Sequence, residues 1–196
     1  MSASTEAFGV EDFDAAVLGG GLPPAAEALI RQAGLIRQQV PEAQALLEQA
    51  CLIAPGHPAT LIALYRFHFY GNRLVEAREV AVTALQVGLA ALGLPTRWQD
   101  VSAEAFPLSR SAALEPLPRF FLFTLKGYAY LNLRLGDLDI GREAIAKLDE
   151  LDPKDVVGYR VLDAVLARMG RDDVGYEDCP DIAQSSTQHA VAEAST

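Results

Sequence analysis

The sequence predicts an all-α chain, a stack of about four helical hairpins interrupted by a proline-rich insertion. Three observations carry this prediction. Apolar residues recur at helical spacing in segment after segment between Pro and Gly breaks. No stretch alternates with period two over a useful length, so no strand is predicted. Small residues also recur 34 positions apart: Gly136 and Gly170, Gly141 and Gly175, Ala43 and Ala77, Ala50 and Ala84.

Residues 1–24 read as a flexible acidic arm, because Gly19-Gly20-Gly21 and Pro23-Pro24 form a break. The triple glycine is no dinucleotide loop, since it lacks GxGxxG and a surrounding βαβ unit. A helix is expected over 25–38, with Ala28, Leu29, Ala33, Leu35 and Ile36 at helical spacing. Pro41 opens the next, with Leu46, Leu47, Ala50 and Ile53 on one face, and Pro55-Gly56-His57-Pro58 ends it. Helices then follow over 60–70 and 74–92, turned at Gly71-Asn72. Residues 92–121 hold Pro95, Pro107, Pro116, Pro118 and the single tryptophan, Trp98; they read as an insertion with one helical turn near 102–106. Helices resume over 120–135, 140–151 and 156–169, punctuated by Gly136-Asp137, Asp152-Pro153 and Gly170. Residues 178–196 read as a disordered acidic and polar tail, leaving a helical domain over 25–177.

A period of 34 is that of the tetratricopeptide repeat, a helix–turn–helix unit. The chain resembles that family over units at 24–57, 58–91, 122–155 and 156 onward. Ala43, Ala77, Gly141 and Gly175 take the family's small position at the crossing of two helices. Pro55 and Pro153 match the proline that ends the second helix, whereas Leu89 does not. The usual Trp and Gly of the first helix are absent, and Leu148 replaces a small residue, so the repeats are degenerate. One hairpin cannot bury its apolar face alone; stacked hairpins can.

Composition excludes several classes. With 51% apolar and 21% charged residues, most of the chain is expected to fold. The longest apolar stretch, 80–95, is interrupted by Thr83, Gln86 and Gly88 and is too short to span a bilayer. No secretory signal is visible at the N-terminus, and Cys51 and Cys179 form no CxxC, so a reducing cytoplasm is expected. The net charge is −10, and most of it sits at the ends. Residues 1–14 carry Glu6, Glu11, Asp12 and Asp14 with no base; residues 171–196 carry six acids against Arg171. No Lys/Arg run exists to release counterions, so nucleic acid is not an expected partner. Membrane binding is not expected either.

No catalytic constellation appears, and the chain is expected not to be an enzyme. His57, His68 and His189 fall in no metal-ligand spacing. Cys51 reads as a core filler, and Cys179 lies among Glu177, Asp178 and Asp181, which blunt a thiol. Asp137/Asp139 and Asp149/Asp152 read as solvated caps, and Asp172-Asp173 lack a calcium-loop pattern. No metal or cofactor is expected.

Binding is better motivated. Tetratricopeptide domains present groove side chains at places 2, 5, 9, 12 and 13 of each repeat. That register implies Arg66, Phe69 and Tyr70 from the second unit, Phe123, Lys126, Tyr130 and Arg134 from the third, and Arg160 and Arg168 from the fourth. Every charge among them is positive, and guanidinium forks grip carboxylates. An acidic or C-terminal peptide of another protein is the implied ligand. The asparagines of a carboxylate clamp are missing at matching places. The competing reading makes Phe69, Phe123 and Tyr130 core and the arginines ordinary surface charge. A rival contact is the insertion, where Trp98 and Phe106 either anchor a partner or pack at home. The acidic ends have a third use, folding back on the basic groove and holding it shut. The free chain is expected to be a monomer.

Two segments carry a narrower resemblance, HPATLIALYRFHFYGNRLVEA (57–77) and LPRFFLFTLKGYAYLNLRLGDLDIG (117–141). They resemble small tetratricopeptide-like proteins encoded beside bacterial nitrogen-fixation genes, a nitrogenase-associated accessory type. The resemblance implies a cytoplasmic protein that docks on a nitrogenase component or assembly intermediate. It would not carry the metal cluster, because two lone cysteines make no ligand set.

Overall fold

The computed structural model describes residues 21–107 and 116–169. Among these residues lie seven α-helices and no strand: α1 Pro24–Leu35, α2 Val40–Ile53, α3 Pro58–Tyr70, α4 Leu74–Ala91, α5 Pro116–Leu135, α6 Leu138–Leu151 and α7 Val161–Met169. The fold is all-α, as the periodicity predicts. Of the arm over 1–24 only residues 21–24 are described; the tail over 178–196, and with it Gly170, Gly175, Cys179 and His189, lies outside the described residues. No helix among the described residues is long and apolar enough to cross a membrane.

Prolines set the helix starts. Each of α1, α2 and α3 carries one in its first two positions, where the missing N–H costs nothing. His57 adds a side-chain cap, its Nδ1 accepting from the Ala59 N–H at 3.2 Å. Thr60 Oγ1 donates to the carbonyls of His57 and Ala54, tying the α2–α3 turn together. The turns after α3 and α5 share one geometry. Arg73 N–H reaches back to the His68 carbonyl at 2.9 Å, and Asp137 N–H to the Asn132 carbonyl at 2.9 Å. Both close a helix end through one left-handed residue, Asn72 (φ 55°) and Gly136 (φ 87°), the residue types that tolerate it.

Short turns make α1/α2, α3/α4 and α5/α6 antiparallel hairpins, each packed on itself. Small residues sit at their crossings. Ala43 and Ala77 are fully buried, and a Cβ on Gly141 would stand 2.5 Å from Leu133 Cδ2. This is compatible with degenerate repeats stacked side by side. Hairpins two and three join through an extensive α4–α5 contact. There Leu85 and Leu89 meet Phe121, Leu122 and Leu125, and the cluster runs on to Leu148 and Leu151. Arg78 links the same hairpins, donating to Asn132 Oδ1 at 3.3 Å and pairing with Asp137.

The first hairpin is held differently. Its clusters are Ala26, Ala50 and Ala54, then Ala33, Ala43 and Leu47. A buried Leu or Phe contributes about 1.5–3 kcal/mol and one methyl about 0.8 kcal/mol, so this alanine seam anchors α1 more weakly than α4 anchors α5.

Two element starts differ from expectation by more than two residues. Helix α5 begins at Pro116 rather than at 120, because Pro116 and Pro118 fall in its first turn, where proline is tolerated. Helix α7 begins at Val161 rather than 156. The buried Asp152 carboxylate accepts from the Val156 and Val157 N–H groups at 3.0 Å each. Asp155 and Gly158 both take positive φ, which interrupts any helix there.

Candidate functional site

The insertion does not expose its aromatics. Trp98 begins a 3-10 turn over Trp98–Asp100, is 8% exposed and meets Tyr128 edge-on at 6.2 Å. Phe106 is 4% exposed and leans on Phe121 at 5.6 Å. Lys147 donates to the Val101 carbonyl at 2.8 Å, fixing the segment to α6. Both rings complete the core where α4 and α5 would otherwise leave it open.

Lys126 is also inside. It is buried, and its ammonium donates to the Val157 carbonyl at 2.8 Å. Burial lowers its pKa, and Asp155 opposes that shift. Its work is to hold the 152–160 loop on α5. Arg160 lies far along the chain from the other groove residues, donating to the Pro153 carbonyl at 3.1 Å beside Asp149. Arg168 is exposed and bonds its own helix at Ala164.

Phe123 is partly buried against the core clusters. Four of the predicted residues, Phe69, Tyr70, Tyr130 and Arg134, come together. Phe69 stacks on Tyr65 at 5.7 Å, meets Tyr70 edge-on at 5.5 Å and reaches Tyr130 at 5.7 Å. Arg134 donates to the Tyr130 hydroxyl at 2.8 Å. This aromatic row bridges α3 and α5. Burial of Tyr65 pushes its phenol pKa upward, so its ring belongs to the core side of the row. Tyr70, 69% exposed, is the solvent end.

Tyr70 also borders an open groove of about 890 Å³ between α1 and α3. Arg66, Phe67 and Arg73 line it from the α3 side, and Ile30, Ala33 and Arg37 from the α1 side. Among the described residues, three arginines and no carboxylate line it. Arg73 is held in place, its guanidinium 4.4 Å from the Phe67 ring centroid and donating to Gln44 Oε1 at 2.6 Å. His68 lies just behind. It is 5% exposed, and its Nδ1 finds no hydrogen-bond partner. Burial and the Arg73 charge lower its pKa, against the raising effect of Glu76, Glu48 and Glu79.

Arg37, Phe67 and Arg73 were absent from the residues the repeat register implies, because they fall at places 14, 10 and 16 of units starting at 24 and 58, none of which the register counts. Another signal marks two of them. Arg37 follows the end of α1, Arg73 follows the end of α3, and Arg134 lies in the last turn of α5. Cations are favoured at helix C-termini, and a stack of hairpins sets those ends side by side.

The described residues include no group of three or more His, Cys, Asp or Glu side chains placed to hold a metal ion. Cys51 donates weakly to the Thr60 carbonyl, and burial raises its pKa. An uncharacterized 19.8 kDa protein in the nifW 5′ region of Azotobacter chroococcum mcd 1 is 35% identical over 167 residues, covering 81% of this chain and 88% of that protein. The chain belongs to that protein's family. No family model matches the chain, and no solved structure matches it. The shared region is long enough to span the groove, the insertion and the α5–α6 hairpin together.

Proposed function

We propose that this chain is a non-catalytic protein-interaction module whose α1–α3 groove receives an acidic segment of a partner protein. The carrying observation is the groove itself: among the described residues three arginines and no carboxylate line it, with Tyr70 at its rim, in a chain of net charge −10. Basic residues scattered at random over so acidic a protein would be interleaved with acids. Guanidinium forks bind carboxylates bidentately, and an exposed tyrosine adds contact area at small entropic cost. The half-buried, hydrogen-bonded Cys51 and the core positions of Trp98 and Phe106 support a packing role for groups that otherwise suggest chemistry or a second anchor.

The nif-region relative supports a nitrogen-fixation setting. In that setting the chain acts as an accessory factor that binds and stabilises a nitrogenase component or an assembly intermediate. Affinity purification of the tagged protein, from its own cells grown with and without fixed nitrogen, tests this reading. A near-stoichiometric nitrogenase component seen only without fixed nitrogen is expected. A single unrelated partner would retain the module and remove the nitrogenase assignment. Many weak extended clients would indicate a chaperone-like module instead.

A further inference from the structure

The groove between α1 and α3 has a chemically matched occupant within the same chain. We propose that residues 6–14, Glu-Ala-Phe-Gly-Val-Glu-Asp-Phe-Asp, occupy this groove in the free protein, so that a partner must displace them. The inference rests on the groove being a site for acidic segments.

Charge is the first argument. Arg37, Arg66 and Arg73 line the groove, whose described lining residues include no carboxylate, and residues 1–14 carry four acids and no base. The segment also interleaves Phe8, Val10 and Phe13 with those acids, which suits a groove walled by Ile30, Phe67 and Tyr70.

Connectivity is the second. The segment leads into α1, and the second half of α1 forms one wall of the groove. From Pro24 to Arg37 is about 20 Å at 1.5 Å per residue. The ten residues from Asp14 to Pro24 span up to about 33 Å extended, enough to run back along α1. Gly21 has φ 91°, a left-handed conformation that turns the chain just before the helix starts. The acidic residues 171–196 follow α7, which packs on α5 at the opposite end of the stack.

Tethering is the third. The short connection to α1 holds the segment at an effective concentration of about millimolar, so even a weak contact is mostly closed. The weakly anchored α1 wall can adjust around either occupant.

Hydrogen–deuterium exchange on the full-length chain tests this. Three full-length proteins are compared: wild type, Arg37→Gln/Arg66→Gln, and Glu6→Gln/Glu11→Gln/Asp12→Asn/Asp14→Asn. Circular dichroism and the thermal midpoint verify that each is folded. Amides of residues 6–16 are expected to exchange about tenfold or more slowly in wild type than in either variant. The protection is expected to be equal at about 1 µM and about 50 µM protein, as an intramolecular contact requires. Exchange at the unstructured rate in wild type would overturn the proposal. So would protection that the arginine changes leave intact, or protection that grows with concentration and so assigns the groove to a second copy. If the segment is unprotected but partner capture still needs Arg37 and Arg66, self-occupancy fails and the proposed function stands. If the segment is protected and no partner is captured, the reverse holds.

Discussion

The Tyr65 hydroxyl oxygen stands 2.6 Å from the point a Cβ on Gly127 would occupy, and Tyr65 Cζ stands 3.2 Å from it. Tyr65 therefore reaches from α3 to the α5 backbone beside the aromatic row, where Phe69 meets Tyr130. Gly127→Ala gains about 1 kcal/mol of helix propensity, whereas overpacking a rigid ring costs about 1–3 kcal/mol. We expect a net loss of about 1 kcal/mol in denaturant unfolding. In a Tyr65→Phe background the worst contact is gone, and the same change should be at least about 1 kcal/mol less costly. Equal costs in both backgrounds would show that the two residues are not in contact.

Phe106 separates a core role from a partner role. At 4% exposure against Phe121, its loss opens a cavity in the α4–α5–α6 cluster. Phe106→Ala should cost about 3–5 kcal/mol of stability. At temperatures where the variant is folded, its partner affinity should match wild type. A stable variant that has lost its partner would return the insertion to the binding surface.

His68 predicts a pH dependence with a definite sign. Its folded pKa lies below the ordinary 6.5, first through burial and then through Arg73. Below about pH 6.5 the unfolded chain takes up the proton more readily than the folded one, so unfolding is favoured as the pH falls. The contribution is fully present above that value and is lost progressively toward the folded pKa. Thermal midpoints measured from pH 7 to pH 5 should fall more steeply for wild type than for His68→Leu, which removes the titration and leaves no unmatched Nδ1. Parallel slopes would contradict the assignment.

The helices were legible because each carries its own punctuation. Pro41, Pro58 and Gly136 mark positions where backbone chemistry alone decides what the chain does next. Boundaries failed where a distant side chain decides instead. Asp152 and Lys126 hold 152–160 as a loop, and nothing local shows that Lys126, 31 positions from Val157, is its anchor. Among the candidate site residues, Arg66 and Tyr70 were readable from their place on the first helix of a repeat. Arg37 and Arg73 were not, since they lie just past helix ends and join the groove only once the hairpins pack. For Trp98 and Phe106 the sequence left anchor and packing readings open, because the gap they fill is made by three helices remote in sequence.

The groove's role in recognition is tested most directly by one comparison. Tagged wild type and Arg37→Glu/Arg66→Glu are purified from cells grown without fixed nitrogen, after confirming equal thermal midpoints, and the co-purifying partner is quantified. Losing two charge-assisted contacts of about 1.5 kcal/mol each predicts a drop of about 100-fold in affinity, and hence near-complete loss of the partner. Retention of the partner at wild-type stoichiometry would show that another surface carries the interaction.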